Sequence, residues 1–310
     1  MKINLANIKK AKKILDKSEC VAIPTETVYG LAGNAYSDKA CTKIFRLKKR
    51  PKNNPLIVHY HNHQNLKKDC IFNDNFIKLY KKFCPGPITF ILDLKKDSKI
   101  SKFATNNKKT LAVRFPRHPV TRNLLKKLNY PLAAPSANIS SKVSAVNSNE
   151  VKDDFGKKIK YILEGGKSSI GLESTIVDLR NKPKILRLGG LETSLIQKEL
   201  SKKISINNNP FKISSPGQFK LHYSPGIPIR LNAKKFKKNE AYLLINKKNK
   251  TKSNYYFLSK NGNLKEAARN LYSILRKIKK NKYNSIAVTK IPNKGLGKTI
   301  NDRLIRASRF

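Results

Sequence analysis

Two cations stand close together where a predicted helix ends. The segment Asp38–Lys48 carries apolar residues at helical spacing, with Asp38 as its N-cap, and Pro51 stops the helix. Lys48 and Arg50 therefore lie at the helix C-terminus, where the helix dipole favours cations, so the pair has a purely structural explanation. The functional alternative is that the two side chains splay around a triphosphate, with arginine as a bidentate fork and lysine as a point charge.

Two polar turns, each directly after an apolar segment, could bind a small ligand. The turn Pro24–Gly30 (PTETVYG) follows Cys20–Ile23, and its hydroxyls and single carboxylate suit hydrogen bonding to an amine or a hydroxyl. The turn Pro135–Asn138 (PSAN) follows Leu132–Ala134, and its side chains with exposed backbone N–H groups could form a nest that binds an anion or reads a base. An ordinary Asx or Ser turn explains the second turn equally well.

The other candidate motifs favour structural interpretations. The stretch Gly295–Thr299 (GLGKT) ends like a P-loop, but the first glycine of that motif would fall at Pro292. His59, His61 and His63 alternate and could place metal ligands on one side of a strand, although exposed histidines at the end of a hairpin are the favoured interpretation. The cysteines lie far apart without a CxxC pair, which favours reduced structural thiols over a zinc or redox site. They are Cys20, Cys41, Cys70 and Cys84.

An α/β domain with a twisted, mixed, open sheet and flanking helices is predicted to position these residues. Helical periodicity covers Asn7–Lys17 as well as the segment before Lys48. Apolar runs bounded by turn residues predict the strands. These are Cys20–Ile23, Leu56–Tyr60, Ile88–Leu94, Leu111–Phe115, Leu132–Ala134, Tyr161–Leu163, Thr175–Asp178 and Lys184–Leu188.

A polar stretch punctuated by proline and glycine divides the chain. We assign residues 1–204 to the first domain, residues 205–229 to a linker, and residues 230–310 to a small Rossmann-like α/β domain. In the small domain, strands are predicted at Ala241–Asn246 and Ser285–Lys290, and helices at Leu264–Lys280 and Asn301–Ser308.

Composition sets the class of protein without identifying a function. The 310 residues suggest about two domains. A net charge of +48, from 67 Lys plus Arg against 19 Asp plus Glu, indicates either a phosphate-rich partner or drift towards A·T-rich codons, and drift is the favoured cause. Because Met1–Ser18 has no signal-peptide pattern and no segment approaches about 18 consecutive apolar residues, we expect a cytosolic protein that does not span a membrane.

Seven ordered stretches resemble the YrdC-type family of threonylcarbamoyl-AMP synthases. They are VAIPTETVYGLAGNA (Val21–Ala35), KKRPKNNPLIVH (Lys48–His59), PGPITFIL (Pro85–Leu92), TLAVRFPRHP (Thr110–Pro119), PLAAPSANIS (Pro131–Ser140), ESTIVDL (Glu173–Leu179) and LRLGG (Leu186–Gly190). The stretches SPGQFKLHYSPGIPI (Ser215–Ile229) and GLGKTINDRLIRAS (Gly295–Ser308) resemble the linker and the end of the second domain in the two-domain form of the family.

The resemblance implies a nucleotidyltransferase reaction and its partners. Enzymes of this family convert L-threonine, bicarbonate and ATP to threonylcarbamoyl-AMP, pyrophosphate and water. A separate threonylcarbamoyl-transferase complex then modifies the adenosine beside the anticodon of tRNA. Mg²⁺ is expected on the ATP phosphates and held mainly by ATP itself, which accounts for the lack of a dedicated carboxylate cluster in this sequence.

The resemblance also carries site residues over to matching positions. Lys48 and Arg50 would act in catalysis by binding the ATP phosphates, and Arg114 would pair with the threonine carboxylate. Thr25 and Glu26 would shape the pocket floor. The positions matching threonine-binding residues are Thr27, His59, Arg114, Ser136 and Ser174. Those matching ATP-binding residues are Lys48, Arg50, Asn54, Thr110, Asn138, Ser144, Arg187 and, in the linker, Tyr223.

Two alternatives are left to experiment. A non-catalytic RNA-binding protein would keep the positive charge but would need neither Arg114 nor the Ser136 and Asn138 pair. An enzyme that makes another carbamoyl adenylate, like the related domain of hydrogenase-maturation proteins, would carry acylphosphatase and zinc-finger segments with CxxC pairs, which do not occur in this sequence.

Overall fold

One large mixed sheet organises the first part of the chain. The computed structural model of the protein describes residues 3–207, 222–247 and 251–309. The strands of this sheet are β1 (Val21–Ile23), β2 (Gly30–Asn34), β3 (Ile57–His59), β4 (Cys70–Ile71), β5 (Ile88–Leu94), β6 (Thr110–Arg114), β7 (Leu132–Ala133), β8 (Tyr161–Ile162), β9 (Thr175–Asp178), β10 (Lys184–Arg187) and β11 (Ser205–Ile206). Within the described residues they run in the order β11-β10-β9-β5-β6-β3-β7-β2-β1-β8, with β4 beside β5.

Parallel and antiparallel neighbours both occur, so the predicted mixed sheet is confirmed. Strand β3 runs parallel to β6, and β5 runs parallel to β9, whereas β5 and β6 are antiparallel. The parallel register pairs His59 with Arg114 at one end of β3 and Ile57 with Ala112 nearer the other end. This register places the side chains of both pairs on the same face, because residues two apart in a strand point the same way.

Helices flank this sheet, and short polar side chains begin most of them. They are α1 (Leu5–Asp16), α2 (Asp38–Lys48), α3 (His63–Leu66), α4 (Asp74–Phe83), α5 (Lys102–Thr105), α6 (Pro119–Lys126), α7 (Ser148–Phe155) and α8 (Thr193–Leu200). Asparagine side chains cap α1, α3, α4 and α7 by accepting backbone N–H groups. The N-cap of α2 is Ser37 rather than the predicted Asp38, because the Ser37 hydroxyl accepts the N–H of Ala40 at 3.1 Å.

The second part of the chain contains a smaller, parallel sheet. Its strands are β12 (Ile229–Arg230), β13 (Glu240–Asn246), β14 (Tyr255–Ser259) and β15 (Ser285–Val288), and its helices are α9 (Leu264–Lys280) and α10 (Leu296–Ala307). In the described part of the chain the strand order is β12-β15-β13-β14. All of its pairs are parallel, which agrees with the predicted Rossmann-like unit. Helix α10 begins five residues before the predicted Asn301 because its first turn includes the false P-loop.

The hydrophobic core of the second part continues into the first. One cluster of buried residues joins Val28, Val143, Val146 and Leu172 to the apolar faces of α9 and α10. The two parts are therefore packed against each other by apolar burial as well as by polar contacts. The proposed domain bounds stay a prediction, and most of the predicted linker (residues 208–221) lies outside the described residues.

Candidate active site

A cavity opens at the end of β3 and β6 where the PTETVYG and PSAN turns meet the end of the linker. It encloses about 550 Å³ of unfilled space, including the part open to solvent, which suits a small-molecule site. Among the described residues, its lining includes three arginines and a single acidic side chain. The lining residues are Thr25, Thr27, Val28, Tyr29, Gly30, Arg50, Ile57, His59, Arg114, Ala134, Pro135, Ser136, Glu173, Ser174, Arg187, His222 and Tyr223.

All residues predicted to bind threonine line this cavity. His59 and Arg114 end neighbouring parallel strands and are paired in register. Ser174 directly precedes β9, and Ser136 is bridged to Gly30 at the start of β2. Thr27 lies in the PTETVYG turn, where its hydroxyl and that of Thr25 share a hydrogen bond of 2.8 Å. The fold therefore brings together residues that are far apart in the sequence.

Arg114 is held from behind by Glu26. Its Nη2 donates to Glu26 Oε1 at 2.8 Å, and Glu26 Oε2 accepts the backbone N–H of Arg117 at 3.0 Å. Both side chains are buried, whereas Arg114 Nε is a buried donor without a protein partner. Thr25 lines the cavity as predicted for a residue of the pocket floor, but Glu26 does not, and it orients Arg114 instead.

Lys48 and Arg50 do not splay freely from the end of α2. Lys48 Nζ donates to the carbonyl oxygens of Ser136 and Asn138 at 2.6 and 2.5 Å, and Lys48 does not line the cavity. Arg50 does line it, with Nε bound to the Asn54 carbonyl and Nη2 to the Pro55 carbonyl. Burial and the charge of Arg50 hold the pKa of Lys48 well below its usual range. Burial and the nearby Arg187 lower the pKa of Arg50 to about 9.

The PSAN turn does not form the nest of exposed N–H groups that its sequence suggested. The N–H of Ala137 donates to Tyr29 O at 2.7 Å, and the N–H of Asn138 donates to Ser136 O at 3.1 Å. The side-chain amide of Asn138 donates to the carbonyls of Ile139 and Lys142. The backbone N–H groups of Ala137 and Asn138 and the side-chain amide of Asn138 therefore bind acceptors within the protein.

Four more residues predicted to bind ATP lie outside the cavity lining: Asn54, Thr110, Asn138 and Ser144. Thr110 begins β6, four residues before Arg114, and so lies about 13 Å from it along the strand. Between the two, Ala112 belongs to an apolar cluster with Ile57 and residues of β5, β9 and β10 on the same face of the sheet. The same face of the sheet therefore extends from Thr110 to the cavity.

Arg187 and Ser174 form one unit at the inner wall of the cavity. The guanidinium of Arg187 donates from Nε and Nη2 to the Ser174 carbonyl at 3.1 and 2.8 Å, and from Nη2 to the Ser174 hydroxyl at 3.0 Å. The same hydroxyl shares a 2.7 Å hydrogen bond with Thr89 on β5. A predicted ATP-binding side chain and a predicted threonine-binding side chain are therefore in direct contact.

Two residues of the site, Glu173 and His222, were missed in the sequence. Glu173 Oε1 accepts the Ser144 hydroxyl at 2.6 Å, and Glu173 Oε2 accepts the Tyr272 hydroxyl at 2.8 Å. Burial alone would raise the pKa of Glu173, but Arg303, Arg187 and these hydrogen bonds lower it to about 2. In the sequence, Glu173 is next to Ser174 and His222 is next to Tyr223. Adjacency to a predicted site residue does not by itself identify another one.

Buried polar atoms without a protein partner concentrate at and beside the cavity. Among the described residues they include Arg114 Nε, His59 Nδ1 and His222 Nδ1 in the lining, and the amide oxygens of Asn54 and Asn138 nearby. Folded proteins pair nearly all buried polar groups, so an accumulation in one place indicates a surface shaped for a ligand. Burial and the charge of Arg114 also lower the pKa of His59 to about 3, so its ring is neutral at physiological pH.

The structure does not support a metal site at the alternating histidines. His59 is buried at the end of β3, His61 follows that strand, and His63 begins α3, so the prediction of a set of exposed histidines at a hairpin end was wrong. Across residues 3–207, 222–247 and 251–309, no group of three or more His, Cys, Asp or Glu side chains could hold an ion. The four cysteines are free thiols.

Comparisons with known proteins cover nearly the whole chain. Residues 13–189 match the Sua5/YciO/YrdC family model described as "Telomere recombination", and residues 186–309 match "Threonylcarbamoyl-AMP synthase, C-terminal domain". The threonylcarbamoyl-AMP synthase of Pyrococcus abyssi is 33% identical over 98% of this chain and 94% of its own length. That of Bacillus subtilis is also 33% identical, with the same coverage.

A solved structure shows the same arrangement in three dimensions. The crystal structure of P. abyssi Sua5 complexed with L-threonine superimposes with a TM-score of 0.91 and 31% identity, covering 99% of this chain and 96% of that one. None of the helices among the described residues has the length and the apolar composition that a membrane span requires.

Proposed function

The chain belongs to the threonylcarbamoyl-AMP synthase family, and we propose that it condenses L-threonine, bicarbonate and ATP to threonylcarbamoyl-AMP, releasing pyrophosphate and water. The observation that carries this proposal is the cavity in which all predicted threonine ligands meet Arg50, Arg187 and Tyr223. The reaction is a nucleotidyl transfer, and its product would serve threonylcarbamoyl modification of the adenosine beside the tRNA anticodon. A cytosolic location stays a prediction from the sequence.

Threonine would bind at the ends of β3 and β6. The unpartnered Nε of Arg114 suits one oxygen of the amino-acid carboxylate, since Glu26 already occupies Nη2 and fixes the guanidinium plane. The hydroxyls of Thr27, Ser136 and Ser174 line the same space and can bind the amine and the side-chain hydroxyl. His59, neutral and buried, offers Nδ1 as a further hydrogen-bonding atom.

The chemistry needs positioning and charge stabilisation more than an activated side chain. The amine of threonine and bicarbonate form a carbamate with loss of water, and a carbamate oxygen is already a nucleophile. It attacks the α-phosphorus of ATP as the bond to the pyrophosphate oxygen breaks. Arg50 and Arg187 would stabilise the charge that develops on the leaving group. Lys48 would contribute by fixing the PSAN turn that carries Ser136.

Mg²⁺ would be bound mainly by the phosphates of ATP and would add positive charge there. The cavity would accommodate this ion without supplying a carboxylate ligand to it. Glu173 is the single carboxylate among the described lining residues, and both of its oxygens accept hydrogen bonds from the protein. We propose bicarbonate, tRNA and a threonylcarbamoyl-transferase complex as further partners by family membership.

Pyrophosphate release tests the proposal directly. The protein is incubated with ATP, Mg²⁺, bicarbonate and L-threonine, and pyrophosphate is measured with each component omitted in turn. Release that requires threonine and bicarbonate is expected, whereas release indifferent to threonine would point to another carbamoyl adenylate. RNA binding without any turnover would support the non-catalytic alternative instead.

Arg50→Met provides a variant for the same assay. It removes a charge from the cavity while keeping much of the buried volume, so kcat/KM should fall at least about a hundredfold. Lys52→Met is the matched control, because Lys52 is exposed just beyond α2 and does not line the cavity. Near-normal turnover in Arg50→Met would refute its proposed role.

A further inference from the structure

Glu173 is an unusual neighbour for a nucleotide. It is the only acidic side chain among the described residues that line the cavity, and it is 5% exposed. A buried carboxylate repels the phosphates of a bound nucleotide strongly, because little water screens the interaction. A cavity that binds ATP therefore needs a compensating cation at Glu173 that the ligand itself does not use.

The compensating cation comes from the second part of the chain. Arg303 on α10 is fully buried, and its Nε donates to Glu173 Oε2 at 3.0 Å. The Tyr272 hydroxyl on α9 donates to the same oxygen at 2.8 Å. The other oxygen, Oε1, accepts from Ser144, a predicted ATP-binding residue, at 2.6 Å. The carboxylate is thus fixed from both sides of the boundary between the two parts.

Helix α10 also forms hydrogen bonds with the backbone that follows Arg187. Arg303 Nη2 donates to the Leu188 carbonyl at 2.6 Å, and the Thr299 hydroxyl donates to the Gly189 carbonyl at 3.1 Å. The guanidinium of Arg303 lies 4.6 Å from the ring centre of Tyr223, which stacks on Tyr272 at 5.8 Å with planes 15° apart. Side chains of α9 and α10 therefore contact the inner wall of the cavity and the linker tyrosine together.

We propose that Arg303 and Tyr272 are positioning residues for the nucleotide site, which neutralise and orient Glu173 so that Arg50 and Arg187 can act on the phosphates. This inference rests on the proposed function for the identity of the ligand. Neither residue lines the cavity, so both act through Glu173. The second part of the chain then contributes to the reaction, because it supplies the positive charge that makes the cavity in the first part suitable for an anion.

Loss of Arg303 should create a pH dependence of nucleotide binding that the native protein lacks. The charged and titratable groups facing Glu173 are Arg187, Arg303, Tyr272, Tyr223 and His222. Without Arg303, the effect of burial on Glu173 is opposed only by Arg187 and by the hydrogen bonds of Ser144 and Tyr272, so the pKa of Glu173 rises. The carboxylate then stays charged and repulsive at high pH and takes up a proton at a higher pH than in the native protein. Nucleotide binding by Arg303→Met should therefore recover towards the native value as the pH falls.

Calorimetry with α,β-methylene-ATP and Mg²⁺ on the full chain measures this directly between pH 5.5 and 8.5. Arg303→Met should weaken binding at least about tenfold relative to the native protein at pH 8.5, and less at pH 5.5. The double variant Glu173→Gln with Arg303→Met should bind within about threefold of the native protein at both pH values, because no uncompensated charge remains. Failure of the double variant to recover would overturn the proposal.

Arg276→Met is the matched control for domain docking. Arg276 on α9 also joins the two parts, through Asp154 Oδ2 at 2.7 Å and the Val143 carbonyl, but it does not contact Glu173. It should leave nucleotide binding within about twofold of native, since the charge beside the cavity is unchanged. Equal weakening by Arg276→Met and Arg303→Met would mean that only docking matters, and the proposal would be wrong.

Two further measurements keep the outcome decisive. If Arg303→Met does not fold, as judged by circular dichroism, Tyr272→Phe removes one donor to Glu173 and should show the same pH-dependent weakening at about twofold to fivefold. No pH dependence in that variant would also overturn the proposal.

Pyrophosphate release by the native protein is measured in parallel. The binding pattern without threonine-dependent release would refute the proposed function alone, and release without the pattern would refute this inference alone.

Discussion

At the residue scale, the cavity is lined by guanidinium groups whose geometry is set by neighbouring side chains and backbone carbonyls. Glu26 orients Arg114, the Asn54 and Pro55 carbonyls orient Arg50, and Ser174 accepts from Arg187. A guanidinium held in this way loses little conformational freedom on binding, so its hydrogen bonds to a ligand contribute more to affinity. Lysine cannot replace arginine at such positions, because it offers a point charge without the fork.

Arg114→Lys should therefore impair threonine recognition selectively. The lysine can keep the ion pair with Glu26, but it lacks the Nε donor that is unpartnered in the protein. We expect KM for threonine to rise about tenfold to a hundredfold, and KM for ATP to change less than about threefold. Steady-state pyrophosphate release at varied threonine and varied ATP separates the two effects.

Arg117→Lys is the control for that variant. Arg117 contacts Glu26 through its backbone N–H, while its Nε donates to the Pro85 carbonyl away from the cavity. Both KM values should stay near those of the native protein. A parallel rise of both KM values in Arg114→Lys would indicate a general distortion of the site rather than loss of a carboxylate ligand.

His59 should make the fold sensitive to acid. Its pKa is about 3 in the folded protein, against 6.5 for an ordinary histidine, because it is buried beside Arg114. Between these values the unfolded chain binds a proton that the folded protein does not, so stability rises with pH and is lost as pH falls below 6.5. At pH 5.0 the loss from this residue should be about 2 kcal/mol.

Urea unfolding of the native protein and of His59→Gln at pH 7.5 and 5.0 measures that loss. Glutamine does not titrate, so the difference in unfolding free energy between the two pH values should shrink by about 2 kcal/mol in the variant. An unchanged difference would show that the His59 ring is protonated in the folded protein at pH 5.0.

At the element scale, the strands of the large sheet were predictable where residue type and burial agree. The segment Ile88–Leu94 combines β-branched and aromatic residues and forms β5 with the predicted bounds. In contrast, Gly30–Asn34 (GLAGN) has little intrinsic tendency to extend and was not predicted. It forms β2 because its backbone pairs with β1 on one side and β7 on the other, which is a tertiary effect that no local pattern reveals.

The site itself was predictable only through resemblance to a family. His59, Arg114 and Ser174 meet because parallel and antiparallel pairings bring the ends of β3 and β6 to the same edge of the sheet as the start of β9, where the turn that carries Thr27 also lies. Spacing along the chain contains no information on that convergence. The resemblance, however, did not show which of the predicted side chains face the cavity. Lys48 does not, because its ammonium group donates to two backbone carbonyls of the protein. That distinction depends on atomic packing.

The turn after β10 offers a test of how tightly these elements are packed. A Cβ added at Gly189 would lie 2.3 Å from Ser174 C and from Thr175 N, which are backbone atoms that cannot move aside. Gly189→Ala should therefore destabilise the fold by about 1–3 kcal/mol and displace Ser174 from Arg187. We expect kcat/KM to fall at least about tenfold, because Ser174 and Arg187, the proposed threonine and ATP ligands, would no longer be aligned.

Gly156→Ala separates that clash from backbone strain. A Cβ at Gly156 meets nothing within 4 Å, but its φ of +52° is unfavourable for alanine. This variant should lose about 1–2 kcal/mol of stability while its activity is retained. Equal loss of activity in both alanine variants would mean that lowered stability alone accounts for the effect.

At the scale of the whole molecule, several of the scarce acidic residues pair with cations where the two parts meet. The chain has only 19 Asp plus Glu, yet Asp153, Asp154 and Glu173 all pair with cations from the second part. The partners of the first two, Lys280 and Arg276, extend from α9. In a protein with a net charge of +48, these pairs offset repulsion between two basic surfaces and favour docking.

The shared core predicts that the two parts unfold together. Leu172 is fully buried in the apolar cluster that joins the first part to α9 and α10, whereas Leu15 belongs to a separate cluster beneath α1. Differential scanning calorimetry should therefore give one transition, with equal calorimetric and van't Hoff enthalpies. Leu172→Ala and Leu15→Ala should each remove about 2–5 kcal/mol and lower the midpoint of that same transition. Two resolved transitions, each shifted by only one of the variants, would show that the two parts are energetically independent and that the second part does not stabilise the first.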